Sequence, residues 1–256
     1  MNKKINWVGS TVITLAGLAS LIMFTWPLFI SAEAQSESAV AQAVFIALMP
    51  MILVLVLMEF ATGGIDSRQL ALLGVLTALN AVIRMLGAGT GGIETAFFLI
   101  IISAYVFGSG FGFILGSTSL LVSALLTGGV GPWLPFQMMA AALVGLLAGL
   151  LPKFKARWAQ TSVLIAFACI ASFGYGALMT MWNWPFLAGI GSDVSYLAGA
   201  GPLSNLARFI QYEIFTGGLL WDLGRAVTSS VLIALTAPAL LATLNRAANR
   251  AGFSRS

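Results

Sequence analysis

The chain has 256 residues, 59% of them hydrophobic and 8% charged, with a mean hydropathy of +1.00 and a formal charge of +4. A soluble domain carries about a quarter charged residues, so the composition excludes a soluble protein and implies a polytopic membrane helix bundle, all-α in class. With no histidine and a single cysteine, Cys169, the commonest general base, the commonest metal ligand and any disulfide framework are excluded as well.

Lys3 and Lys4 precede an apolar run over 7–30 that carries Pro27 near its far end. The Ala32-Glu33-Ala34 that follows resembles a signal-peptidase site, but a signal core is about 7–15 residues long and this run is longer, so a retained first helix is expected. A short polar loop with Glu33 and Glu37 leads to a second helix over 40–60, where Pro50 predicts a kink. Residues 62–69 are polar and hold Asp66 and Arg68, and 70–86 is the third helix. Two glycine-rich connections, 87–92 and 128–135, then bracket an almost wholly apolar stretch. One helix through it would run about 50 Å, against a hydrocarbon core of roughly 30 Å. Gly108-Ser109-Gly110 is the obvious break, so two short helices are predicted, over 93–107 and 111–127. Both glycine-rich connections must then lie on one face of the membrane. The sixth helix spans 136–151 and is ended by Pro152, and Lys153, Lys155 and Arg157 lie in the 153–160 loop. A seventh helix over 162–182, a long polar connection over 183–216, an eighth helix over 217–244 and a tail with Arg246, Arg250 and Arg255 complete the chain.

Charge gives the orientation. With a cytoplasmic N-terminus, all basic residues except Arg84, Arg208 and Arg225 fall on inside segments. The positive-inside rule therefore supports about eight spans, multi-pass in the plasma membrane, with both termini cytoplasmic. The positive charge reads as membrane topology and implies no nucleic-acid partner.

No GxxxxGK[ST] loop is present, so the chain lacks the usual means of hydrolysing ATP. No carboxylate pair lies mid-helix, as a proton- or sodium-coupled carrier would place it. No catalytic set, metal site or cofactor is predicted. Polar and aromatic residues gather instead at the outer ends: Arg84, Glu94, Thr95, Phe97, Trp133, Gln137, Trp182, Asn183, Trp184, Tyr196, Asn205, Arg208, Tyr212, Asp222 and Arg225. An aromatic rim with a few polar groups is the usual form of a small-molecule site. Each ring alone reads equally as an interface anchor, Asp222 and Arg225 as a mutual pair, and Arg84 as a partner for Glu94. Ala71, Gly74, Ala78 and Ala81 form a small-residue stripe that lets another helix approach, inside the bundle or from a partner. A similar stripe runs through Ala140, Ala141, Ala142, Gly145, Ala148 and Gly149.

From Arg68 onward, the small-residue helix ending in Arg84, the AGTGGIE–FF segment, the LTGGVGPWLPFQM run and the basic loop after it resemble the substrate-binding S component of an energy-coupling factor (ECF) vitamin transporter. The likeness is greatest to the cobalamin-specific, actinobacterial-type members. The resemblance implies a six-helix core over 62–256 and an added two-helix hairpin over 1–61. It implies that Ala71, Gly74, Ala78 and Ala81 present the docking stripe to a transmembrane coupling subunit driven by two ATPases. It also implies that the loops 87–92, 128–135 and 183–216 bind and occlude the vitamin, which the protein would release inside after toppling in the bilayer. The long aromatic 183–216 segment suits a large, flat corrinoid such as cobalamin, although a smaller vitamin fits a loop of that size. The readings from other classes are a lipid-modifying or otherwise integral membrane enzyme, and a ligand-free assembly subunit.

Overall fold

The computed structural model describes residues 17–18, 21–28, 51, 67–87, 92–131, 133–187, 193–197, 199–216 and 218–252. Among these residues, seven α-helices follow a 3-10 turn at Trp26–Leu28: α1 (Ser67–Gly87), α2 (Phe97–Phe107), α3 (Ser109–Thr127), α4 (Leu134–Gly149), α5 (Arg157–Leu187), α6 (Pro202–Phe215) and α7 (Gly218–Arg250). The chain is an all-helical membrane bundle, and α1, α3, α5 and α7 are long and apolar enough to cross a bilayer. The expected helix over 40–60 except Met51, most of the one over 7–30 and the tip of the 87–92 loop lie outside the described residues.

The short helix α2 is the centre of the bundle. It is buried on every side except at Val106, and it packs against α3, α4, α5 and α7. At 11 residues it is about 16 Å long, too short to span the hydrocarbon alone. The chain before it is non-helical, a state tolerated at membrane depth only where protein encloses it and its backbone groups find partners. Two side chains supply such partners. Glu94 Oε1 accepts the Ala96 N–H at 3.1 Å, and Thr95 donates its hydroxyl to the Ile83 carbonyl at 2.7 Å. These bonds start the helix at Phe97 rather than at the expected residue 93.

The predicted break is there, and it is narrower than the Gly-Ser-Gly triplet. Gly108 alone leaves the helix, at φ 101°, and Ser109 already begins α3. An L side chain rarely adopts that backbone conformation, so the glycine sets the turn. Beyond it, α3 and α4 lie backbone to backbone. A Cβ on Gly112 would collide with the Gly145 carbonyl, one on Gly116 with the Ala141 carbonyl, and one on Gly149 with Ser109. The small residues of α4 are thus consumed by internal packing. Those of α1 are not: Ala71, Gly74 and Ala78 are exposed, and among the described residues nothing lies within 4 Å of a Cβ on Gly74. Ala81 differs from its three companions in being fully buried.

The segment expected to be a continuous polar connection is mostly helix. α5 runs through Pro185 to Leu187, and α6 begins with Pro202 at its first position, where the missing N–H costs nothing. α6 exposes large apolar side chains and buries a polar one. Asn205 and Phe209 are buried against the bundle, while Leu203, Ile210, Ile214 and Phe215 are exposed.

Candidate substrate site

Helix direction brings the end of α1, the start of α2, the ends of α3 and α5, the start of α4, and α6 with the start of α7 to one end of the bundle. Contacts across that end confirm it. Arg84 donates to Ser123 Oγ at 3.1 Å, and Gly92 packs on the backbone of Trp221 and Gly224. The basic residues of the described chain ends and loops gather at the other end. There Arg68 donates to the Arg250 carbonyl at 3.2 Å, and Tyr105 clasps the basic loop, donating to Pro152 O and accepting from the Phe154 N–H.

The site end contains two ion pairs set in aromatic surroundings. Arg84 Nε stands 3.7 Å from Glu94 Oε2. Arg225 pairs with Asp222, one turn earlier on α7, and donates to the Ser172 carbonyl at 3.1 Å. Both simple pairings read from the sequence are therefore present. The Arg225 guanidinium also lies over the Tyr175 ring, 4.9 Å from its centroid, and 5.9 Å from that of Phe97, and these two rings meet edge to face. Cation–π attraction of this kind strengthens as water is removed. Arg225 Nε is buried with no hydrogen-bond partner among the described residues, a donor still open to an acceptor.

Tyr175 and Glu213 join this group although the sequence did not single them out. Tyr175 is buried on α5, two turns before Trp182 on the same face. Glu213 on α6 neighbours Gly218, and neither of its oxygens has a partner at normal hydrogen-bond geometry. Burial pushes the Glu213 carboxyl up from its usual range and the Asp222 carboxylate adds to the rise, while Thr180 and Arg225 oppose it. The glycine at 176 is a spatial requirement, because a Cβ there would run into the Asp222 carboxylate.

The remaining predicted residues divide into three groups. Trp182 is buried and stacks flat on Phe136 at 4.0 Å, and its carbonyl accepts the Trp26 indole N–H at 3.0 Å. Trp184 is fully buried, ringed by Tyr196, Phe209 and Tyr212, and donates to the Val194 carbonyl. Neither tryptophan is an anchor in the membrane interface. Asn205 pairs with both the N–H and the carbonyl of Leu197, and Arg208 donates to Ser195 O at 2.8 Å, so these two side chains hold the 193–197 segment onto α6. Trp133 is 45% exposed, while Gln137 and Asn183 are half-buried at the same end.

A family model, "ECF transporter, substrate-specific component", matches residues 68–243. The chain belongs to this family. No curated protein and no solved structure gives a significant match. As an S component it is a membrane transporter subunit rather than an enzyme, and family membership implies association with the other components of an ECF transporter. The match starts at α1 and ends within α7, so it takes in both ion pairs and the α1 stripe.

Proposed function

We propose that this S component captures a vitamin, cobalamin favoured, at the end of the bundle where Arg84–Glu94 and Asp222–Arg225 converge, and delivers it through an ATP-driven coupling module. The observation that carries the reading is the buried Arg225 donor, poised over Tyr175 and Phe97 with its Nε unpartnered. Such a group offers a hydrogen bond and an aromatic wall to a ligand with amide edges and apolar faces. The positive-inside rule puts this end outside the cell, because Arg68, Lys153, Lys155, Arg157, Arg246 and Arg250 are at the opposite end. Both termini are then cytoplasmic, and 1–61 is an extension to a core over 62–256. The coupling subunit docks on Ala71, Gly74 and Ala78, a reading supported by the open space at Gly74.

A smaller vitamin or precursor is the second reading, favoured by one observation. Trp184, Tyr196, Phe209 and Tyr212 are packed on one another, so the aromatics expected to line a corrinoid are already occupied. Calorimetry of the purified protein against a vitamin panel, cobalamin first, separates the two. Tight cobalamin binding that Trp133→Ala weakens about tenfold, an ordinary loss for an exposed tryptophan at a ligand rim, supports the first. Binding of a small vitamin alone selects the second, and binding of none favours an assembly subunit.

A further inference from the structure

α6 has three sides of different chemistry. Asn205 and Phe209 turn it onto the bundle, where it packs against α5, α7 and the 3-10 turn at Trp26–Leu28. On the side away from that contact, Leu203, Ala207, Ile210 and Ile214 recur at i, i+4, i+7 and i+11, which makes one apolar stripe. All four are exposed, Leu203 by 82%. Ser204 and Gln211, also exposed, occupy the flank between stripe and bundle. We propose that α6 is an interfacial helix, lying in the leaflet on the substrate-site side with its Leu203–Ile214 stripe against acyl chains and its Ser204–Gln211 flank among the headgroups.

Three observations select lipid as the occupant of that stripe. The first is continuity. α7 turns Leu220, Leu223, Val227, Val231 and Leu235 outward, the face that a spanning helix gives to lipid. Ile214 and Phe215 end α6 exposed, and Leu219 and Leu220 begin α7 exposed, so the apolar surface carries on from one helix to the next. The second is depth. At 1.5 Å per residue, about 40 Å of α7 separates Leu219 from Arg246, close to the ~40–45 Å of a bilayer with its interfacial regions. With Arg246 at one boundary, the α6 end of α7 is therefore at the other. Exposed tryptophans mark both levels, Trp221 beside α6 and Trp158 beside Arg157, as tryptophan does at membrane interfaces. The third is composition. The stripe has no polar or charged member, whereas the flank is uncharged and polar, the division expected of a helix lying at the boundary of acyl chains and headgroups. Asn205 and Arg208 hold the 193–197 segment onto α6, so a covering segment of the substrate site would ride on a lipid-borne helix. This inference is independent of which ligand the site takes and of which side of the membrane it faces.

The test uses the purified full chain in liposomes of phosphatidylcholine and phosphatidylglycerol. In a Cys169→Ser background, nitroxide labels are placed on single cysteines at Leu203, Ile210 and Gln211, all exposed. Collisions with oxygen, which partitions into acyl chains, and with a water-soluble nickel chelate give the depth of each label by electron paramagnetic resonance. Leu203→Cys and Ile210→Cys should favour oxygen and lie about 5–10 Å below the headgroup level, whereas Gln211→Cys, the next residue along, should favour nickel. The two stripe positions report independently, so failure of one variant to fold leaves the other to decide. Nickel access at Ile210→Cys equal to that at Gln211→Cys would put α6 in water and overturn the proposal. Oxygen preference at all three positions would sink the helix into the hydrocarbon and overturn the interfacial placement. Immobile labels at Leu203→Cys and Ile210→Cys, closed to both reagents, would also overturn it and give the stripe to a protein cover, either the 29–50 segment of this chain or a second copy.

Discussion

Asp222 and Arg225 show how a charge is kept inside an apolar bundle. The pair is one turn apart on α7, with side chains 4% and 12% exposed, and the ring of Tyr175 and the carbonyl of Ser172 take up the rest of the guanidinium. Removing one partner of a buried pair leaves the other uncompensated, at a cost of about 3–5 kcal/mol. Asp222→Ala should therefore lower the melting temperature strongly, whereas Asp222→Ala with Arg225→Leu should recover much of the loss; a double variant no more stable than the single one would show that the pair is not the source. Glu213 behaves in the opposite sense. Its folded-state pKa is raised, chiefly by burial, so folding favours the protonated acid. Its contribution is complete below the ordinary carboxyl pKa and is lost as pH rises through the raised one. Melting temperature should fall across that interval in the wild type, and Glu213→Gln should flatten the profile. Neither Glu213 nor Tyr175 stood out in the sequence, because a lone polar residue in an apolar or mixed run does not say which neighbour it faces.

At the scale of elements, two small-residue stripes of similar composition have different uses. Gly145 lies against the Gly112 backbone, and a Cβ on Gly74 would meet nothing within 4 Å among the described residues. Gly145→Ala should therefore destabilise the bundle by about 1–3 kcal/mol, the range for overpacking a close contact, while Gly74→Leu with Ala78→Leu should leave the thermal melt unchanged. If the open stripe is the docking surface, that double variant still binds its vitamin but loses uptake; normal uptake in whole cells would remove the assignment. Ala81, buried within the bundle, does not share that surface. The sequence showed that both stripes were small and not which one was already filled, since filling depends on the α3 glycines brought opposite α4. The break at Gly108 was legible because only glycine takes its backbone angle. α6 was not, although Pro202 at its start and the Asn205, Phe209 spacing were a readable signal. Leu203, Ile210, Ile214 and Phe215 face outward and Asn205 inward beside Phe209, which blurs the pattern by which a surface helix is found.

Across the whole molecule, the two ends are chemically distinct. One brings together ion pairs, buried aromatics and α6; the other brings together Arg68, Lys153, Lys155, Arg157, Arg246 and Arg250. α1, α3 and α5 run towards the first end and α2, α4 and α7 return from it, so the connections after α1, α3 and α5 cannot be separated by the membrane. This arrangement was legible because it needs only the number of crossings and the placement of lysines and arginines. What the sequence left open was how far the rim aromatics are buried, since Trp182 and Trp184 are withdrawn into the bundle by Phe136 and Tyr196. The arrangement has a direct test. In a Cys169→Ser background, single cysteines at Thr127, Asp193 and Lys155, all exposed, report on the three positions that matter. A membrane-impermeant thiol reagent added to intact cells should label Thr127→Cys and Asp193→Cys and spare Lys155→Cys until the membrane is opened. Labelling of Thr127→Cys and Asp193→Cys from opposite sides would break the common rim apart, and with it any single cavity fed by α3, α5 and α6. Labelling of Lys155→Cys alone from outside would keep the cavity and invert the protein, against the positive-inside rule.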